Sequence, residues 1–326
     1  MIANMKKIVI FSAVPIDDAA TLYRSGLLAK KLAVKGHEVF FTSVSANFVK
    51  EEFKNVSGLP AHFIGQAHYF ARKPFSVRRR LGIGRVVREN LATCLRFVKV
   101  LRKEKPDLVL VVTAMPGALT AGLVSKALGF RTCIDIEDLA LGQMEAAGYP
   151  KPLIAFYRLV EKGWLRIFDK VIVCSHYLKE IYPGSVMIPN MIEVNWWHRR
   201  KIKKNKEGKK IVFVGQMGAY HGQMEVLNSF EDWLKGNKHC QLIFVGGGEA
   251  LKSLKLKVKS AKLGSRVIFT GHVSQEKVRE ILATADVGLL PLWDTPVNRA
   301  RHPLKLLEYL ASGLVVVTNR VGEAER

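Results

Sequence analysis

Acidic residues are scarce in this chain. Its 28 aspartates and glutamates stand against 51 lysines and arginines over 326 residues, a formal charge of +23. Such a deficit implies attraction to something anionic: nucleic acid, acidic phospholipid or a phosphorylated ligand. Cysteine is scarce too. Cys94, Cys133, Cys174 and Cys240 form no CxxC pair and have no ligand-like spacing. They read as buried thiols of a reducing compartment, which excludes a disulfide framework and a zinc site. Long apolar runs are also lacking. Residues 8–14 are followed by Asp17 and Asp18 where a signal peptide would carry small residues, so the run reads as a first strand. Residues 108–124 carry no charge, but Pro116-Gly117 splits them into a strand and a helix start, which excludes a membrane span there.

What is present is an alternation of short β-rich runs with longer amphipathic segments, at 48% apolar and 24% charged residues. That pattern predicts an α/β fold with parallel sheets covered by helices. Strands are expected at 7–12, 38–44, 108–113, 131–135 and 170–174. A helix over 23–35 is expected to end at Gly36-His37. After Ile188-Pro189-Asn190 the alternation gives way to a basic stretch without apolar periodicity, then resumes with strands at 211–214, 241–245, 266–270, 287–290 and 314–318. Helices are expected at 276–284 and 305–311. The division predicted is a first domain over 5–192, a basic linker over 193–209 and a second domain over 210–326. The second domain is much the shorter and stops directly after a strand and turn, so it is expected to be incomplete.

In open parallel sheets, ligands bind outside the carboxyl ends of the strands, so two such domains facing each other would frame a cleft. The second domain has four suitable loops. Gly215-Gln216-Met217-Gly218-Ala219-Tyr220-His221-Gly222 follows its first strand, and Gly246-Gly247-Gly248 follows the next, where glycines let a ligand approach the backbone. Gly271-His272-Val273 follows the third. Arg299-Ala300-Arg301-His302-Pro303-Leu304-Lys305-Leu306-Leu307-Glu308 leads into a helix whose first amides can hold an anion.

These segments resemble the donor domain of GT-B retaining glycosyltransferases of family 4. The resemblance rests on Gly215…His221-Gly222, the three glycines 246–248 and Phe269-Thr270-Gly271-His272-Val273. It continues through Ala285-Asp286-Val287-Gly288-Leu289-Leu290-Pro291 and Pro303-Leu304-Lys305-Leu306-Leu307-Glu308-Tyr309-Leu310-Ala311-Ser312-Gly313. More loosely, Gly36-His37-Glu38-Val39, Pro106-Asp107-Leu108-Val109 and Ile188-Pro189-Asn190 match the first half. The fold implied is two Rossmann-like domains with an interdomain cleft.

The resemblance implies transfer of a sugar from a nucleotide-diphosphate donor to a glycan or lipid-linked acceptor, with retention of configuration, in cell-surface polysaccharide or glycolipid synthesis. The nucleotide sugar is a co-substrate, and neither a cofactor nor a metal is implied. Glu308 would bond the ribose hydroxyls, since a carboxylate accepts two bonds from a cis-diol. Lys305 would meet the diphosphate, and the backbone at His272 and Val273 would meet the base. Gly215, Gln216, His221, Gly222, Gly246, Gly247, Gly271, Pro303 and Leu306 complete the donor side. The pattern departs at three places: Gln216 and His221 stand where the family places arginine and lysine, Ala300 where it places the first of two glutamates, and Val321-Gly322-Glu323-Ala324-Glu325 where it places G-G-x-x-E. Arg299 and Arg301, beside Ala300, are expected to supply phosphate charge, which the guanidinium fork suits.

In the first half, Ser25-Gly26 is expected in a loop ahead of a helix and facing the cleft, a loop that similar enzymes use against the donor phosphate or the acceptor. Asp135-Ile136-Glu137-Asp138 places carboxylates after a strand, and Asp138 is the one expected to orient or deprotonate the acceptor, with a helix cap as the alternative reading. Catalysis is thus assigned to Asp138, Lys305 and Arg301.

Residues 72–105 hold twelve lysines and arginines against two glutamates, interleaved with apolar residues from Phe75 to Val98. A basic amphipathic helix of this kind suits an anionic membrane face. The protein is therefore expected in the cytoplasm, peripheral on the inner face of the membrane. An inactive nucleotide-sugar-binding or scaffold protein of the same fold stays open. An epimerase lacks a convincing carboxylate and histidine set, and a nucleic-acid binder lacks any recognition motif.

Overall fold

The computed structural model describes residues 5–13, 20–45, 47–56, 59–67, 69–72, 77–80, 82–113, 116–146, 149–198, 208–218 and 222–326. The chain divides into two units, one of 1–191 with Arg299–His302, the other of 192–298 with 303–326.

The first unit is built on the strands β1 (Lys7–Ser12), β2 (Glu38–Ser45), β3 (Glu52–Val56) and β4 (Leu59–Gln66). They are followed by β5 (Tyr69–Arg72), β6 (Val77–Arg80), β7 (Leu108–Val112), β8 (Thr132–Ile136), β9 (Lys170–Val173) and β10 (Val186–Met187). Its helices are α1 (Ala20–Val34), α2 (Ile83–Glu104), α3 (Pro116–Ala127), α4 (Ala140–Ala146), α5 (Lys151–Leu165) and α6 (His176–Ile181). One sheet runs β10-β9-β8-β7-β1-β2-β4-β3, and its pairs are parallel except β3 with β4.

Alternation along the central strands separates two cores. Val9, Phe11, Val109 and Val111 join the α2, α3 and α5 side chains Phe97, Leu101, Leu119, Tyr157 and Leu165. Ile8, Ile10, Leu110 and Val112 join Ala29 of α1 on the opposite face. Both faces are covered, so these strands are continuous apolar runs, which is why they were legible.

The second unit begins with the short helix α7 (Val194–Trp197) and continues with β11 (Lys210–Val214), α8 (Gln223–Gly236), β12 (Gln241–Val245) and α9 (Leu251–Ser260). Then come β13 (Val267–Gly271), α10 (Gln275–Thr284), β14 (Val287–Leu290), α11 (Pro296–Ala300, its last two residues in the first unit), α12 (Leu304–Ala311) and β15 (Val315–Thr318). The sheet order is β13-β12-β11-β14-β15, parallel throughout. Phe213, Leu227, Leu234, Phe244, Leu254 and Leu289 form its core.

Two expectations are corrected here. The basic helix does not fill 72–105: it starts at Ile83 behind Gly82 in extended backbone, and β5 and β6 ahead of it form an antiparallel hairpin. The start of the stretch read as linker is ordered. Trp197 is buried, and the Arg279 guanidinium lies 4.6 Å above the Trp196 ring and donates to the Trp196 carbonyl over 3.1 Å. An arginine stacked on an aromatic face in this way holds α7 to the second unit. Residues 199–207 lie outside the described residues.

Candidate functional site

In the second unit, the loops after β11, β12 and β13 are bonded to one another. Gly215 donates to Val245 O over 3.0 Å, Met217 to Gly247 O over 2.9 Å and Gly246 to Gly271 O over 3.0 Å. Their glycines are required by this packing. Gly246 has φ +127°, and a Cβ there would collide with the Gly215 carbonyl; Gly248, at φ +151°, would collide with the Met217 carbonyl. Gly247 lies against the His272 ring, at 2.8 Å from a Cβ built there. Five expected positions, Gly215, Gly246, Gly247, Gly271 and His272, are thus brought to one patch at the carboxyl ends of three adjacent strands. Gln216 and His272 are exposed on it, and Val273 is half-buried.

Gly222, at φ +72°, caps α8. The next residue, Gln223, donates to the Gly218 carbonyl and keeps a buried Oε1 without a partner among the described residues. His221 lies outside the described residues.

Helix α12 carries the remaining donor-side residues. Pro303 precedes it in extended backbone, and Leu306 donates back to Pro303 O over 3.1 Å. Glu308 is only 2% exposed, and its Oε2 accepts from Lys305 Nζ at 2.6 Å. Burial raises the Glu308 carboxyl above its ordinary range, while the Lys305 charge opposes the rise. A solvated helix glutamate would show neither feature. The helix is fixed by the next residue. Tyr309 is fully buried, accepts from Val214 N over 2.9 Å and donates to Leu289 O over 3.3 Å, tying α12 to β11 and β14. Gly288 makes the room, since a Cβ there would lie 2.5 Å from the Tyr309 ring.

The first unit holds the acceptor-side candidates. Gly26 is corrected: it lies buried inside α1 and not in a loop ahead of a helix. One glycine inside a helix costs only about 1 kcal/mol, so its presence did not mark a boundary. The residue that matters on that turn is Arg24, 2% exposed. Its Nε and Nη2 each lie 2.8 Å from an Asp135 oxygen, a bidentate pair, and its Nη1 donates to Asn190 Oδ1 over 3.0 Å. Asn190 in turn donates to His302 O over 2.7 Å.

Asp138 is held by Arg301, whose Nε lies 3.3 Å from Oδ1. Ser175 Oγ donates to Ala300 O over 2.6 Å. Arg299 and Arg301 therefore belong to the first unit, whereas Lys305 and Glu308 belong to the second. Arg301 is committed to a carboxylate within its own unit, and Arg299 is exposed. Burial pushes the Cys174 thiol up to about 12, so it carries no nucleophile. Glu137, next to Asp138, has a buried Oε1 without a hydrogen-bond partner among the described residues, and burial with the Asp135 charge raises its carboxyl well above the ordinary range. Arg24 and Tyr309 were missed in the sequence. The one available signal for Arg24 was a lone charge in the apolar first half of its helix, and for Tyr309 an aromatic directly after the glutamate.

Residues 23–194 match the family model for the glycosyl transferase 4-like domain, and residues 194–326 match that for glycosyl transferases group 1. N-acetyl-alpha-D-glucosaminyl L-malate synthase of Bacillus anthracis is 24% identical over 311 residues, 90% of this chain and 74% of that protein. Among solved structures, the catalytic domain of starch synthase IV from Arabidopsis thaliana, bound to ADP and acarbose, aligns with a TM-score of 0.70 at 12% identity over 99% of this chain and 84% of that one. Sucrose-phosphate synthase from Thermosynechococcus elongatus aligns with a TM-score of 0.69 at 17% identity over 97% and 82%. A model spanning more than half the chain, a second spanning 194–326, and two parallel-sheet α/β units with glycine turns at the strand ends agree: the chain belongs to the glycosyl transferase 4-like family and is a glycosyltransferase of the GT-B fold.

Proposed function

We propose that this glycosyltransferase moves a sugar from a nucleoside-diphosphate donor, held by the second unit, to a glycan or lipid-linked acceptor, with retention of configuration. The observation that carries the reading is the buried Glu308 paired with half-buried Lys305 on α12, anchored by Tyr309 to the same sheet whose β11, β12 and β13 end in interlocked glycine turns. A carboxylate 2% exposed beside a cation is suited to a ribose diol and a diphosphate respectively. The transition state is oxocarbenium-like, with charge building on the departing diphosphate, so Lys305 and the turn amides stabilise the leaving group. The departing phosphate takes the acceptor's proton on the same face of the sugar. The curated relative from B. anthracis is named for synthesis of a glucosaminyl malate, which supports a nucleotide-sugar donor and leaves the acceptor to experiment.

The acceptor side is proposed to work at an anionic membrane face, with the enzyme in the cytoplasm. On α2, Val87, Leu91 and Leu95 recur every fourth residue and are 62%, 62% and 59% exposed, flanked by exposed Arg85, Arg88, Lys99 and Arg102. An apolar stripe bordered by cations suits acidic headgroups. No helix among the described residues is long and apolar enough to cross a membrane.

The test is incubation with a panel of UDP-, GDP- and ADP-sugars and candidate acceptors, with the anomer of the product read by NMR. Transfer with the donor's anomeric configuration supports the reading. An inverted product removes retention, and no turnover of any donor favours the inactive scaffold.

A further inference from the structure

Three carboxylates close β8 and begin the loop after it, and two are already engaged. Asp135 is fully buried in the bidentate pair with Arg24, and Asp138 is bonded to Arg301. Glu137 stands between them in a different condition. Its Oε1 is buried and makes no hydrogen bond among the described residues, while the residue as a whole keeps part of its surface in solvent.

Buried polar atoms are almost always paired, and an exception at a strand's carboxyl end, where ligands of open parallel sheets bind, calls for an explanation. An ionised carboxylate would be costly here. Burial disfavours its charge, the Asp135 and Asp138 charges add to the cost, and Arg24, committed to Asp135, opposes it. Cys174, whose Sγ lies 3.1 Å from the Glu137 carbonyl oxygen, and Arg301, committed to Asp138, also pack about this loop.

We propose that Glu137 is a neutral, proton-bearing carboxyl that holds a sugar or acceptor hydroxyl through its free oxygen, and that it, in place of Asp138, is the positioning residue of the first unit. A neutral carboxyl suits a hydroxyl because each group can both donate and accept. It suits the neighbourhood because it brings no third negative charge between Asp135 and Asp138. The inference deepens the transferase reading by naming a contact for its substrate, and its charge state is testable without any turnover.

The first experiment measures stability of the full chain and of Glu137→Gln against pH by chemical denaturation. Below the unfolded-state value, about 4.3 for glutamate, both states carry the proton and the group has no effect on stability. As pH rises past it, the unfolded chain releases the proton while the folded one retains it, so the native protein loses stability until the folded value is passed. Glutamine cannot titrate. The advantage of Glu137→Gln over the native protein should therefore grow from pH 4 to neutrality, about tenfold in folding equilibrium per pH unit while the folded group stays protonated. A difference flat across that range overturns the proposal.

The second experiment is kinetic. Glutamine reproduces the neutral carboxyl's donor and acceptor, so Glu137→Gln should stay within about threefold of native kcat/KM, while Glu137→Ala should lose about tenfold or more. A loss that falls on the donor's KM places the hydroxyl on the donor sugar, and one that falls on the acceptor's KM places it on the acceptor. Equal losses in the glutamine and alanine variants, or native behaviour in the alanine variant, would overturn the assignment. If no donor is turned over by the native chain, the transferase reading fails while the pH comparison still decides the charge of Glu137.

Discussion

Val214, the last residue of β11, donates its backbone N–H to the hydroxyl of Tyr309 over 2.9 Å. Tyr309 follows Glu308 on α12, so one bond ties the helix bearing the proposed ribose ligand to the strand that opens into the first glycine turn. Tyr309→Phe leaves a buried N–H without a partner, at a cost of about 1–3 kcal/mol. Chemical denaturation should show that loss, and nucleoside-diphosphate affinity should fall with it. Unchanged affinity in a folded Tyr309→Phe protein would separate the anchor from the site. Gly288→Ala attacks the same packing from below, placing a methyl 2.5 Å from the Tyr309 ring, and should destabilise by about 1–3 kcal/mol through overpacking.

Glu308→Ala removes the buried carboxylate itself. A charge-assisted hydrogen bond contributes about 1.5–3 kcal/mol, so the affinity for the preferred nucleotide among UDP, GDP and ADP should drop about tenfold or more in calorimetry. The alanine also strands Lys305, whose Nζ now reaches Glu308 at 2.6 Å. Lys305→Ala should weaken nucleoside diphosphates more than nucleosides, because its charge is assigned to the phosphates. An affinity untouched by Glu308→Ala would remove that residue from the site.

The sheets were legible because both faces of their central strands are covered, leaving apolar runs such as Leu108–Val112 and Gln241–Val245. The edge was not legible. β4 carries Pro60, His62 and Gln66 in a segment without clean alternation, and β3 pairs with it because β4 continues the sheet beside β2. The glycine turns were legible as glycines, yet their reason was not: Gly246 and Gly248 make room first for the Gly215 and Met217 carbonyls of the neighbouring loop. Glu308 could be placed on a helix from sequence, but its burial depends on packing across the unit. Asp135, Glu137 and Asp138 read as three carboxylates after a strand, of which Asp138 was the one expected to act. What distinguishes them is which cation each one meets, and Arg24 and Arg301 are 111 and 163 residues away along the chain.

The Arg24–Asp135 pair gives the first unit a point of high sensitivity. Both side chains are almost wholly buried, 2% and 0% exposed, and removing one partner leaves an uncompensated charge. Asp135→Ala should cost about 3–5 kcal/mol, read by denaturation, and also frees the guanidinium that now holds Asn190. Replacing both partners with apolar residues, as in Arg24→Met with Asp135→Leu, should recover most of that loss. A double variant as unstable as Asp135→Ala would show that the pair contributes through more than mutual neutralisation.

The apolar stripe of α2 is tested by separating its two components. Val87, Leu91 and Leu95 are exposed on the helix while Phe97 and Leu101 are buried in the core, so the stripe can be changed without emptying the interior. Replacing the three with serine should leave the melting temperature near native, since exposed substitutions usually change stability by less than about 0.5 kcal/mol. Flotation with vesicles containing phosphatidylglycerol should then recover the native protein and lose the triple variant. Charge reversal of Arg88 and Arg102 should also lower recovery, and that loss should resemble the effect of raising salt, because a shorter Debye length screens exposed cations from headgroups. Neutral phosphatidylcholine vesicles should recover little of any form. Equal recovery on neutral and anionic vesicles would leave the charge without this role, and unchanged flotation of the triple serine variant would move the contact away from α2.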